Sequence, residues 1–125
     1  MTDISCIFCK DINKDRVIEN QYCYGRWDKF PVSTGHLLII PIRHYGCYFD
    51  SSADEVKALW ALINEGKEII DKLHGPDAYN IGVNVGEHAG QTIPHIHIHL
   101  IPRYEGDVED PRGGIRGVIP GKQRY

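Results

Sequence analysis

Apolar positions along the 125 residues recur with two periods, and each change of period marks an element. Residues 17–18 and 22–27 read as a first hairpin, joined by the Glu19-Asn20 turn signal. Residues 30–35 read as a loop. Residues 36–40 follow as a buried strand that ends at Pro41, which has no N–H for a ladder. The spacing predicts one long helix over about residues 52–73. Ser52 with Glu55 three residues later forms a capping box, and Gly75-Pro76 supplies the stop. Val56, Leu59, Trp60, Ile63, Ile70 and Leu73 recur at helical spacing and are expected to form one apolar stripe. Residues 79–85 and 95–101 read as two further strands around a loop at 86–91. After Pro102 come Pro111, Gly113, Gly114, Gly117, Pro120 and Gly121, so the tail is expected to be irregular. Three strands, a long helix and two strands predict an α+β fold, an antiparallel sheet of about five strands with the helix packed on one face.

Composition narrows the class without naming an activity. The length suits a single domain over residues 1–125, with its core at about 5–103 and the tail at 104–125. Apolar residues make up 42% and charged residues 25%, as in a soluble globular protein. No run approaches the ~20 apolar residues of a membrane span. The start, Met1-Thr2-Asp3-Ile4-Ser5-Cys6, lacks the basic and apolar segments of a secretory leader, so a cytoplasmic location is expected. The net charge of −3 gives no basic excess with which to hold nucleic acid by its phosphates. An anionic substrate must therefore be held by a few placed groups. In a reducing compartment the four cysteines are not expected to be disulfide-bonded. Cys23 and Cys47 lie among aromatic residues and read as small buried apolar side chains.

The chemistry concentrates in Pro94-His95-Ile96-His97-Ile98-His99-Leu100-Ile101-Pro102. On a strand, Ile96, Ile98 and Leu100 would enter the core while the three histidines line the other face, about 6.6 Å apart. Three histidines in strict alternation are a poor fit to a merely polar strand face. Two readings remain open on spacing alone. An HxH pair can place two nitrogens on one zinc ion. Alternatively, an imidazole, largely neutral near pH 7, can attack phosphorus and form a covalent intermediate.

The segment His95-Ile96-His97-Ile98-His99-Leu100-Ile101 matches the signature of the histidine-triad (HIT) family, His-φ-His-φ-His-φ-φ with φ apolar. Gly90-Gln91-Thr92, Gly35-His36-Leu37-Leu38-Ile39-Ile40-Pro41 with His44, and Cys6-Ile7-Phe8-Cys9 resemble further family segments in the same order. The resemblance runs over about residues 5–103. It implies a nucleotide hydrolase or nucleotidyl transferase acting on an adenosine nucleotide, either a dinucleoside polyphosphate or a nucleoside phosphoramidate. It makes His97 the nucleophile, His99 a phosphate contact, and His36 a residue that orients the imidazoles. Gln91, Thr92 and Asn84 match positions that bond phosphate or bridging oxygens. Asp28 matches the ribose-binding position, and Ile7 and Phe8 match walls of the nucleobase pocket. No cofactor is implied for the chemistry itself.

Cys6-x-x-Cys9 is a zinc half-site by spacing and needs two more ligands. Some family members complete it with residues that match His44 and His95, which implies a structural zinc. The resemblance also implies a homodimer, for which the stripe carrying Trp60 is a candidate face. Arg103, Arg112 and Arg116 are candidates for holding additional phosphates. A zinc-dependent hydrolase using His95, His97 and His99, and a nucleotide-binding protein with incidental turnover, are the rival expectations.

Overall fold

The computed structural model describes residues 5–10 and 12–125. Residues 1–4, on which part of the leader reading falls, lie outside the described residues. A four-residue helix, α1 (Ile7–Lys10), precedes the strands β1 (Arg16–Glu19), β2 (Cys23–Trp27) and β3 (Leu37–Pro41). The long helix α2 (Ala53–His74) follows, then β4 (Ala78–Gly82) and β5 (Ile98–Arg103). The five strands form one sheet in the order β1-β2-β3-β5-β4, every pairing antiparallel. The expected α+β architecture is present, with α2 laid across one face of the sheet.

The ends of α2 follow local chemistry. The Ser52 hydroxyl accepts from the Glu55 N–H, and the Glu55 carboxylate accepts from the Ser52 N–H. Gly75 closes the helix in the left-handed region at φ 58°, where glycine avoids a Cβ clash. Arg43 grips the buried Glu55 carboxylate through two hydrogen bonds of 2.8 and 2.9 Å, tying the cap to the strand before it.

The buried stripe differs from the expected one. Leu59, Ile63 and Ile70 face the sheet as expected, joined by Leu62 and Gly66. Trp60 is 40% exposed and Leu73 60% exposed, and Val56 is half-buried. Of the expected stripe, only Leu59, Ile63 and Ile70 point at the sheet. Gly66 sits where α2 comes closest to it: a Cβ there would lie 2.8 Å from Leu37 Cδ2 and 3.5 Å from Leu100 Cδ2. Gly66→Val is therefore expected to lower unfolding free energy by about 2 kcal/mol through overpacking. Urea denaturation would show it as a lower midpoint at unchanged m-value.

Strand boundaries shift in a way that bears on function. β4 stops at Gly82 rather than 85. β5 starts at Ile98, so His95, Ile96 and His97 precede it. There the Ile96 N–H donates to the Tyr45 carbonyl instead of to β3. The alternation of burial continues through this segment, with Ile96, Ile98 and Leu100 all in the core. Cys23 is buried as expected, whereas Cys47 is only half-buried in the loop before α2. The tail is irregular apart from a 3₁₀ turn over Gly114–Val118.

Candidate active site

The face of the sheet opposite α2 carries Tyr24, Leu38 and Ile40, with Cys6, Phe8 and Cys9 packed on it from the N-terminal side. Leu38 pairs with His99 across the β3–β5 ladder, and directly opposed residues project to the same face. That register places His99 on the open face. His97 lies beside it, ring centroids 5.2 Å apart, and the Phe8 ring stands 5.0 Å from His97 on its other side.

Backbone partners assign the protons on these imidazoles. His97 Nδ1 lies 2.9 Å from the His95 carbonyl, which can only accept, so Nδ1 carries the proton and Nε2 keeps its lone pair. The Val32 N–H donates to His36 Nδ1 at 3.1 Å, leaving the proton of neutral His36 on Nε2. That proton faces His99 Nδ1 at 2.9 Å, so neutral His99 holds its own proton on Nε2. Asp28 Oδ2 stands 3.4 Å from His36 Nε2 and 4.0 Å from His99 Nδ1. One imidazole is thus set as a lone-pair donor beside another set as a hydrogen-bond donor.

Burial keeps the group neutral. It holds His97 below the ordinary histidine range, against the opposing pull of the His95 carbonyl and Asp28. Burial pushes His99 down to about 4, with help from its His97 and His36 neighbours and opposition from Asp28. His36 is lowered for the same reason, again opposed by Asp28.

His95 parts from the other two triad histidines. It is wholly buried, and its Nε2–H donates to the Pro41 carbonyl at 2.8 Å. Its Nδ1 lone pair then faces Cys6 Sγ at 3.4 Å, Cys9 Sγ at 3.5 Å and His44 Nδ1 at 3.0 Å. These four ligand atoms, from Cys6, Cys9, His44 and His95, lie within 4.8 Å of one another and could hold a metal ion. Zinc with Zn–S of about 2.3 Å and Zn–N of about 2.0–2.1 Å gives S···N edges of roughly 3.5 Å in a tetrahedron, close to the separations found. The Pro41 carbonyl behind His95 is the kind of outer partner that orients a ligating imidazole. Without an ion, burial is the main influence raising the Cys6 thiol.

The remaining expected site residues divide. Phe8 is buried against His95 and His97, and Ile7 beside it is largely exposed. Gln91 spends its amide on the backbone: Nε2 donates to the Gly46 and Ile93 carbonyls, and Oε1 accepts from Gly86. It braces the loop before the triad. Asn84 and Thr92 are exposed in that same loop region. Arg103 is held in a bidentate pair with Asp107 and a bond to Asn80 Oδ1, so it is already engaged. Arg112 and Arg116 lie on the exposed tail, Arg116 against Tyr125 and the Gln123 carbonyl. Two neighbours of the site escaped the sequence reading. The Val32 amide had no signal, since any residue but proline supplies one. Arg26, buried beside Phe8, had one: a cation inside the run Cys23-Tyr24-Gly25-Arg26-Trp27.

Residues 10–106 match the HIT domain family model. A HIT-like protein of Methanocaldococcus jannaschii is 40% identical over 108 residues, 83% of each chain. The asymmetrical bis(5'-nucleosyl)-tetraphosphatase of Schizosaccharomyces pombe is 36% identical over 106 residues, 76% of this chain and 58% of that enzyme. Among solved structures, a zinc-bound histidine triad family protein from Mycobacterium smegmatis superposes with a TM-score of 0.75 at 34% identity, covering 83% of this chain and 78% of that one.

Proposed function

The chain belongs to the HIT domain family, and from that premise we propose that it cleaves a purine nucleotide at its α-phosphorus through a nucleotidyl-His97 intermediate. The observation that carries the reading is the pair of fixed tautomers. His97 Nε2 is left with a free lone pair, while His99 holds its proton on Nε2. In the first step His97 Nε2 bonds to phosphorus and the bond from phosphorus to the bridging oxygen or nitrogen breaks. The leaving group takes the departing electron pair; His99 Nε2–H would donate a hydrogen bond to it as charge develops, and solvent would supply the proton that an amine leaving group needs. In the second step water attacks phosphorus and releases a proton to solvent, the P–N bond breaks with its electron pair returning to His97 Nε2, and the nucleoside monophosphate departs. Asp28 would accept from the ribose hydroxyls, and Phe8 with Ile7 would flank the base.

Zinc on Cys6, Cys9, His44 and His95 fits the donor set. It would act as a structural cross-link between the N-terminal segment and the strands, since all four positions are filled by protein. The rival hydrolase built on His95, His97 and His99 is disfavoured because His95 turns its free nitrogen to the cysteines. Homodimer formation through the α2 face bearing Trp60 belongs to the same reading, as does a single domain spanning the chain.

Nucleotide release from adenosine phosphoramidate and diadenosine tetraphosphate, followed by chromatography, tests the proposal. The monophosphate is expected from at least one of them, with turnover insensitive to a brief exposure to chelator. The pH profile carries its own sign. A nucleophile whose pKa is lowered stays neutral as pH falls through 6.5, so kcat/KM should hold there and drop only at lower pH. An acid limb at or above pH 6.5 would contradict the buried, neutral His97. Tight binding of the monophosphate with no turnover of either compound would leave a binding protein instead.

A further inference from the structure

Arg26 is a buried, strongly polar group on this face that the mechanism does not use. It is 2% exposed, and its Nε and Nη1 have no hydrogen-bond partner among the described residues. Tyr24 shares a side-chain hydrogen bond with this guanidinium, yet two of its nitrogens stay buried without acceptors, which is costly, and a ligand that brings acceptors would remove that cost. Its position fits such a ligand. Arg26 pairs with Leu38, which pairs with His99, so the three form a cross-strand row on the open face. One strand lies between Arg26 and His99, so two inter-strand spacings put their backbones about 10 Å apart. The row beside it begins with Asp28, whose N–H donates to the His36 carbonyl. Phe8 lies between the two ends, its ring centroid 5.0 Å from that of His97 and 5.5 Å from Arg26 Cζ.

A nucleotide with phosphorus at His97 and ribose at Asp28 carries its base toward this end. A cleft of about 420 Å³ opens at the sheet edge beside Asp28, lined by Arg16, Trp27 and Asp28, with Arg26 and Phe8 buried next to it and outside its lining. One of its walls is Arg16, the cross-strand partner of Arg26. Base entry requires the Phe8 ring to turn off the guanidinium, which exposes donors and no acceptors. Guanine meets such donors with O6 and N7, both acceptors on one edge. Adenine presents its N6 amino group on the same edge and sets donor against donor.

Resting on the nucleotide reading above, we propose that Arg26 selects the base, making the site prefer a 6-oxopurine nucleotide over a 6-aminopurine one. The test compares kcat/KM for guanosine and adenosine 5'-phosphoramidate, and affinity for GMP and AMP by calorimetry, in wild type and in Arg26→Met. Wild type should favour guanosine by about ten- to a hundredfold, and Arg26→Met should bring the two within about threefold by losing guanosine. Replacing a buried cation that is only partly satisfied by an apolar side chain should hold or raise the thermal midpoint, which separates selection from folding. If that variant did not fold, Arg26→Gln, with a single amide in place of the fork, should still lose most of the preference. Equal His97-dependent use of both nucleotides by wild type, or a preference that survives either variant, would overturn the role of Arg26 and leave the nucleotide reading standing. Absence of binding and turnover for both nucleotides would overturn the two together.

Discussion

His97→Ala is expected to lower turnover of the preferred nucleotide by at least ~10⁴-fold, about 5.5 kcal/mol of transition-state stabilisation. The size follows from chemistry no neighbour can replace. His99 keeps its proton on the nitrogen that would have to attack, because the chain from the Val32 N–H through His36 fixes that tautomer. His95 has its lone pair aimed at the cysteine cluster. A water molecule would have to displace the leaving group directly, with no covalent stage to divide the barrier. His99→Ala should cost less, since it removes a hydrogen bond to the leaving group while solvent still supplies the proton. Rapid quench with nucleotide labelled at the α-phosphorus should trap label on wild type, and on His99→Ala more persistently, but never on His97→Ala. His97→Ala retaining a tenth of wild-type turnover would remove the covalent histidine, whatever the other variants did.

What the sequence made legible follows from which interactions are local. The capping box at Ser52 and the stop at Gly75 depend on residues three or four apart, and both are found as read. The alternation of Ile96, Ile98 and Leu100 depends on backbone geometry alone and survives even where the ladder has not begun. The stripe on α2 was read less well because periodicity gives angular spacing but not how much of an apolar stripe meets the sheet. Gly66 has no side chain to count in such a pattern, yet it permits the closest approach of helix and sheet. Alternation put His95 on the face of His97 and His99, and the family resemblance grouped it with Cys6, Cys9 and His44, as found; what neither showed is that its ring is oriented by Pro41, a partner 54 positions away in the chain. Gln91 shows the converse. Its residue type suits a phosphate, and only the fold reveals that three backbone groups already engage its amide.

Removing the metal-binding capacity should separate stability from chemistry. Cys9→Ala, or prolonged chelation of wild type, is expected to lower the thermal midpoint by at least about 10 °C, roughly 3 kcal/mol for a chain of this size. The magnitude rests on where the four ligands lie. Cys6 precedes α1 and Cys9 lies within it, a helix of only four residues, too short to hold itself in place. His44 follows β3 and His95 precedes β5, so one ion would join the N-terminal segment to two points of the sheet. Without the ion, the same contacts reduce to weak thiol–imidazole interactions of 3.4–3.5 Å. The pH dependence has a definite direction. Zinc takes thiolate and neutral imidazole, so uptake must release the protons of thiols, one of which burial holds above its ordinary range. Metal-dependent stability should therefore fall as pH falls, with proton release on rebinding measurable in a weakly buffered titration. Turnover assayed below the lowered midpoint should persist, because His97 and His99 take no part in the cluster, though Phe8 links the two through its contacts with His95 and His97. Loosening of α1 should thus raise KM more than it lowers kcat. A midpoint that moved by less than 2 °C, together with metal analysis finding well under one equivalent in the purified protein, would reduce Cys6, Cys9, His44 and His95 to a buried polar cluster.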